Sequence, residues 1–119
     1  MSDATYLEIF LAAAPEGNRD AFIEHSRVAQ TVLKENGALR VVDGWGADVP
    51  AGQLTSMPLA VKAEPGETVI GGWIEWPDKA TRDKGMAAMM ADPRMQAMGH
   101  MPFDGKRMIF GGFDIIVES

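Results

Sequence analysis

The chain has 119 residues, 46% hydrophobic and 24% charged, a length suited to one domain and a composition that excludes a disordered chain. Eleven Lys and Arg against 17 Asp and Glu leave a net charge of −6, which repels nucleic-acid phosphates and anionic lipid heads. Cysteine is absent and no wholly apolar run exceeds six residues, against the roughly 20 that span a bilayer, so thiol chemistry is excluded and a soluble cytoplasmic protein is expected.

In chain order, residues 5–14 are rich in β-formers and close at Pro15-Glu16-Gly17-Asn18, which predicts a first strand and a turn. Asn18 is placed to cap a helix in which Phe22, Ala29, Val32 and Leu33 recur at helical steps up to a stop at Gly37. A second strand is predicted over 38–45. The prolines at 50 and 58 make the following stretch irregular. A third strand over 67–76 stops at Pro77, Asp78 caps a helix over 79–91, and Asp92-Pro93 ends it. A short turn over 94–98, a loop over 99–105 and a fourth strand over 107–117 complete the order β-α-β-β-α-β, a ferredoxin-like α+β fold.

Such a sheet carries helices on one face only. Alternation along the first strand separates Leu7, Ile9, Leu11 and Ala13 from Tyr6, Glu8, Phe10 and Ala12. The uniformly aliphatic odd set is assigned to the helices. Tyr6, Phe10, Trp73, Phe110 and Ile116 are then expected on the open face, more apolar surface than a soluble monomer exposes. A second copy presenting the same face is the simplest cover. The run Met86–Ala91, apolar all round, points the same way.

Four stretches carry a resemblance: MPFDGKRMIFGGF at 101–113, DPRM at 92–95, TSMPLAVKAEPGETV at 55–69 and NGAL after the first helix. With these, residues from about Tyr6 to Val117 closely resemble the YbaA-like family of uncharacterised bacterial proteins. The resemblance implies a dimeric α+β barrel, two ferredoxin-like subunits with sheets face to face and helices outside, and no established activity. Proteins of that fold include small-molecule monooxygenases, haem-using enzymes and stress-response proteins, but fold alone transfers no chemistry. The family's Ser cap before the second helix is here Asp78, which caps equally well.

Candidate ligand contacts are Phe10, Trp73 and Phe110 as apolar lining, with Glu8, Glu75 and Asp114 as polar anchors on the same face. A carboxylate facing an apolar interior needs a partner or a raised pKa. His100, in a loop next to Pro102-Phe103-Asp104-Gly105, is a further candidate, whereas His25 reads as a half-buried structural residue. Seven of the nine methionines fall between Met86 and Met108 and suit either packing or a pliable apolar pocket. No histidine spacing suggests a metal site and no cofactor is expected. The expected function is a homodimer binding a small apolar molecule, either between sheet and helices or inside the dimer barrel. A structural or stress-linked dimer with no ligand pocket is the alternative. An RNA-recognition module with the same element order is a remote third, since Val69, Ile70 and Gly71 stand where a basic residue, Gly and an aromatic should begin its third-strand motif.

Overall fold

A computed structural model describes residues 3–119. Its elements are β1 (Tyr6–Pro15), α1 (Arg19–Glu35), β2 (Arg40–Trp45), α2 (Met57–Ala60), β3 (Glu67–Trp76), α3 (Lys79–Ala91), α4 (Pro93–Ala97) and β4 (Ile109–Asp114). The strands form one antiparallel sheet in the order β2-β3-β1-β4, the ferredoxin-like α+β arrangement expected from the element order.

The helix ends follow local chemistry. At the end of α1, Gly37 takes a φ of 105°. The Ala38 and Gly37 amides return to the Leu33 and Lys34 carbonyls, and Ala38 packs against Leu33, so the helix stops where glycine permits a left-handed residue. Asp78 caps α3 by accepting from the Thr81 amide at 2.7 Å. Asn18 does not cap α1 with its side chain; its Nδ2 donates to the Pro102 carbonyl at 3.1 Å, tying the helix start to the loop before β4. That fourth strand is shorter than expected. Residues 105–107 form a 3-10 turn, and the ladder ends where Asp114 pairs with Tyr6, the first residue of β1, followed by one bond from the Ile115 amide to the Thr5 carbonyl at 2.9 Å.

The register corrects the assignment of faces. Ile9 lies opposite Trp73 and Leu7 opposite both Glu75 and Phe113, and directly opposed residues of an antiparallel pair share a face. Phe10, by contrast, lies opposite Phe110 and Gly72. Tyr6, Phe10, Ala12 and Ala14 therefore belong with the helices. Tyr6, Ile74 and Trp76 cluster with Leu33 of α1 and Met86 and Met89 of α3; Ala12, Ala14 and Ile70 cluster with Phe22 of α1, and Phe10 packs against them. The odd residues Leu7, Ile9 and Leu11, expected beneath the helices, form the open face together with Trp73 and Phe113. Trp76 stands at the end of β3, as expected, and is fully buried. The C-terminal half of α3 does keep a solvent side, with Ala87, Met90 and Ala91 exposed.

Between β2 and β3 the chain makes an excursion, residues 46–66, that bends over one end of the open face. Val61, fully buried, sits there on Ala13 and Val69 beside Leu11, Val49 and Ala63. Within it α2 is capped by Ser56, whose hydroxyl accepts from the Leu59 amide at 3.0 Å. Arg107 fixes the excursion from outside, donating to the Lys62 carbonyl at 2.7 Å and pairing with Glu67 at 2.8 Å. The result is a plate, 38 × 37 × 20 Å, whose thin dimension is one sheet plus one helix layer. Its radius of gyration, 14.7 Å, exceeds the roughly 13.5 Å of a compact chain this long.

Candidate functional site

Three places on the plate concentrate chemistry. On the open face, Ile9, Trp73, Ile109 and Phe113 are 39%, 37%, 42% and 53% exposed. At the end away from the excursion Ile9 and Trp73 border a hollow of about 290 Å³, lined also by Leu7, Glu75, Ile115 and Val117. Strand alternation puts Trp73 and Glu75 side by side on this face. The indole Nε1 of Trp73 donates to Glu75 Oε2 at 2.9 Å, and the Arg40 guanidinium lies 3.9 Å from the same oxygen. The carboxylate at the edge of the apolar surface is thus already satisfied, which lowers the cost of covering it.

On the helix side, Glu8 is buried and forms an ion pair with Arg82 of α3. Arg82 also donates to the Tyr6 hydroxyl at 3.1 Å and stacks over that ring, 5.0 Å from its centroid. Burial pulls the Arg82 pKa down, but hydrogen bonds to Glu8 and Asp83 outweigh it and hold the guanidinium above its ordinary value. The Tyr6 ring has room because Gly112, the β4 residue paired with Glu8, carries no side chain; a Cβ there would lie 1.9 Å from the hydroxyl. This triad fastens α3 to the sheet. One Glu8 carboxylate oxygen is committed to that guanidinium.

The third place is a groove of about 310 Å³ between α1 and β2, lined among others by Phe22, Ser26, Gln30, Asp43 and Trp45. Burial pushes the Asp43 carboxyl up from its ordinary pKa, against the hydrogen bond it accepts from Gln30 at 2.7 Å and the nearby His25. Burial lowers the His25 pKa, against the charge of Asp43. His25 stacks edge-on against Phe103 at 5.7 Å, a packing role.

The seven candidate residues therefore divide. Trp73 and Glu75 meet at the hollow. Glu8, Phe10, Phe110 and Asp114 lie on the opposite, helix-facing side, Phe110 and Asp114 on the edge strand β4 and exposed. His100 is exposed in the loop after α4. Sequence reading missed Arg82, the partner of Glu8, and the Asp43–Gln30 pair; a basic residue on the helix that must cover a strand carboxylate was the available signal for the first. Among the described residues no three His, Asp or Glu side chains group to hold a metal ion, and no helix is long and apolar enough to cross a membrane.

Comparison with known proteins agrees with this fold. The chain is 48% identical over 115 residues to the uncharacterized protein YbaA of Escherichia coli K12, covering 96% of this chain and 98% of that protein. Among solved structures it is similar to a dimeric ferredoxin-like protein from an uncultured marine organism, with TM-score 0.63, 10% identity and coverage of 98% of this chain and 91% of that one. It is also similar to a nipsnap family protein of unknown function from Agrobacterium tumefaciens, with TM-score 0.61, 13% identity and coverage of 100% and 95%. A putative antibiotic biosynthesis monooxygenase from Bacillus cereus follows, with TM-score 0.55, 8% identity and coverage of 98% and 97%. At such identities these structures share the fold alone. Residues 5–105 match the family described as protein of unknown function, DUF1428, and with the YbaA relationship this makes the chain a member of the DUF1428 family.

Proposed function

We propose that the chain works as a homodimer whose open sheet faces stack and hold a small apolar molecule between them, over Leu7, Ile9 and Trp73. The observation that carries this reading is the open face itself. The four strands cover on the order of 500 Å² in projection, from about 3.3 Å per residue and 4.8 Å between strands, with one end already under the excursion, against the roughly 800 Å² per partner of a standard interface. Its centre is apolar, and the carboxylate at its edge is paired within the chain, the pattern of an apolar interface core with a polar rim. A similar solved structure is described as a dimeric ferredoxin-like protein, which supports the assembly. The hollow, about 290 Å³, is near the lower size of small-molecule sites, about 300 Å³. The RNA-binding alternative gains nothing from the register, because Phe10 lies on the helix side and leaves Trp73 without the neighbouring ring that base stacking uses.

The test is light scattering combined with titration of a neutral apolar probe, N-phenyl-1-naphthylamine, followed by its fluorescence. The expected result is a mass of two chains and saturable probe binding that Trp73→Ala weakens. A mass of one chain overturns the assembly. A two-chain mass with no saturable binding leaves a dimer packed without a pocket and overturns the ligand half of the reading.

A further inference from the structure

The open face is raised at one end and hollow at the other. At the Ala13 end the excursion stands on it through Val61, and it exposes Leu54, Met57 and Leu59, at 101%, 51% and 51%. These side chains are not on a loose tail. Ser56 caps α2, Arg107 grips the Lys62 carbonyl, and Lys62 itself holds a left-handed φ of 52°, a conformation that a non-glycine keeps only when its surroundings impose it. The hollow over Leu7, Ile9, Trp73 and Val117 lies at the other end, six residues along β1 and therefore roughly 20 Å away.

Two identical faces can be stacked by a two-fold axis running along the strands or across them. With the axis along the strands, raised end meets raised end, the two excursions hold the faces apart and both hollows stay open. With the axis across the strands, the raised end of each copy lies over the hollow end of the other, and each contact occurs twice. The excursion also enlarges the buried apolar area beyond what the flat face offers.

We propose that the dimer uses the crosswise axis, so that Leu54, Met57 and Leu59 of each copy roof the Leu7–Ile9–Trp73 hollow of the other and the cavity is incomplete in a single chain. This rests on the homodimer reading and adds to it the source of the missing wall. The binding site is then shared, one copy supplying the floor and Glu75, its twin supplying a lid of three aliphatic side chains.

The chain contains no cysteine, so engineered thiols report without background. Leu54→Cys and Leu59→Cys are each combined with Val117→Cys, oxidised, and run on non-reducing gels beside the three single variants. The expected outcome is a covalent two-chain species from at least one double variant and none from the single variants, since the crosswise axis keeps like positions apart. A covalent dimer from Leu54→Cys or Leu59→Cys alone means that raised ends meet, and overturns the inference while leaving the homodimer intact. So does the absence of any cross-link in a protein that light scattering shows to be two chains. A one-chain mass overturns the homodimer reading, and the inference with it. As a second measurement, Leu54→Asp weakens dimerisation by roughly a hundredfold or more in sedimentation equilibrium, because a buried leucine is lost twice per dimer. Leu54 is fully exposed in its own chain, so the variant is expected to fold with an unchanged far-UV circular dichroism spectrum; an unchanged dissociation constant refutes the contact.

Discussion

Replacing Gly85 by alanine tests how α3 is seated. A Cβ at this position would lie 2.5 and 2.6 Å from two carbons of the Trp76 six-membered ring and 3.0 Å from the Asn36 carbonyl oxygen. Neither neighbour is a flexible end: Trp76 is 0% exposed and Asn36 ends α1. Overpacking of a dense core costs about 1–3 kcal/mol. Alanine regains about 1 kcal/mol of helix propensity over glycine, so with steric cost near the upper end the net loss is about 2 kcal/mol. At about 3–5 °C per kcal/mol for a chain of this length, the melting temperature should fall by about 6–10 °C. Calorimetry at fixed protein concentration measures it, with Gly17→Ala, where a Cβ meets nothing within 4 Å, as a control expected to stay within about 2 °C. The variant Trp76→Phe removes the two ring carbons and the buried Nε1, which has no hydrogen-bond partner, so part of its packing loss is offset by removal of an unsatisfied donor. The double variant should therefore be less destabilised than the sum of the singles. A Gly85→Ala protein that melts at or above the parent temperature refutes the claim that the indole sets the height of α3.

Ile9→Asp puts an unpaired carboxylate into the apolar centre of the open face and should convert a two-chain mass into one-chain mass in light scattering at micromolar concentration, with far-UV circular dichroism unchanged. Asp43, whose carboxyl is raised by burial, titrates higher folded than unfolded, so it favours folding below its unfolded pKa and loses that contribution as pH rises through the folded value. Asp43→Asn should accordingly raise the melting temperature at pH 7 and give no gain below about pH 4; urea unfolding at the two pH values checks it. Glu67 is held below its ordinary pKa first by the hydrogen bond from Arg107, so its contribution is present above its unfolded pKa and disappears as pH falls through the folded value. Glu67→Gln should flatten the acid side of the stability profile while leaving the alkaline side parallel to the parent.

Element order, turn positions and most helix ends were legible because they depend on local chemistry: Gly37 supplies the left-handed stop, Asp78 the cap, and Pro15, Pro77 and Pro93 the boundaries, whereas Asn18, expected as a cap, spends its side chain on the Pro102 carbonyl. Which strand face meets the helices was not legible. Alternation shows that odd and even residues of β1 separate, yet both sets are apolar, since Tyr6 and Phe10 pack on helices and Leu7 and Ile9 on the open face. Periodicity then carries no sign. Register between strands resolves it, and register lives in pairs such as Ile9 with Trp73 that lie more than sixty residues apart. Smaller residues held a clue: Ala12, Ala14 and Gly112 stand on the side where helices or a folded-over tyrosine ring need clearance, while the open side keeps its bulk. The excursion over 46–66 was legible only as irregular chain, because its order comes from Val61, Ser56 and Arg107 acting together rather than from any repeating pattern.

Arg107 distributes its nitrogens among the Lys62 carbonyl, the Glu67 carboxylate and the Asp104 carboxylate, three points on two stretches of chain. A lysine ammonium cannot reach all three at once. Substitution there acts like cutting a guy rope: the turn that launches the last strand and the lobe that overhangs the sheet slacken together, although neither has been altered.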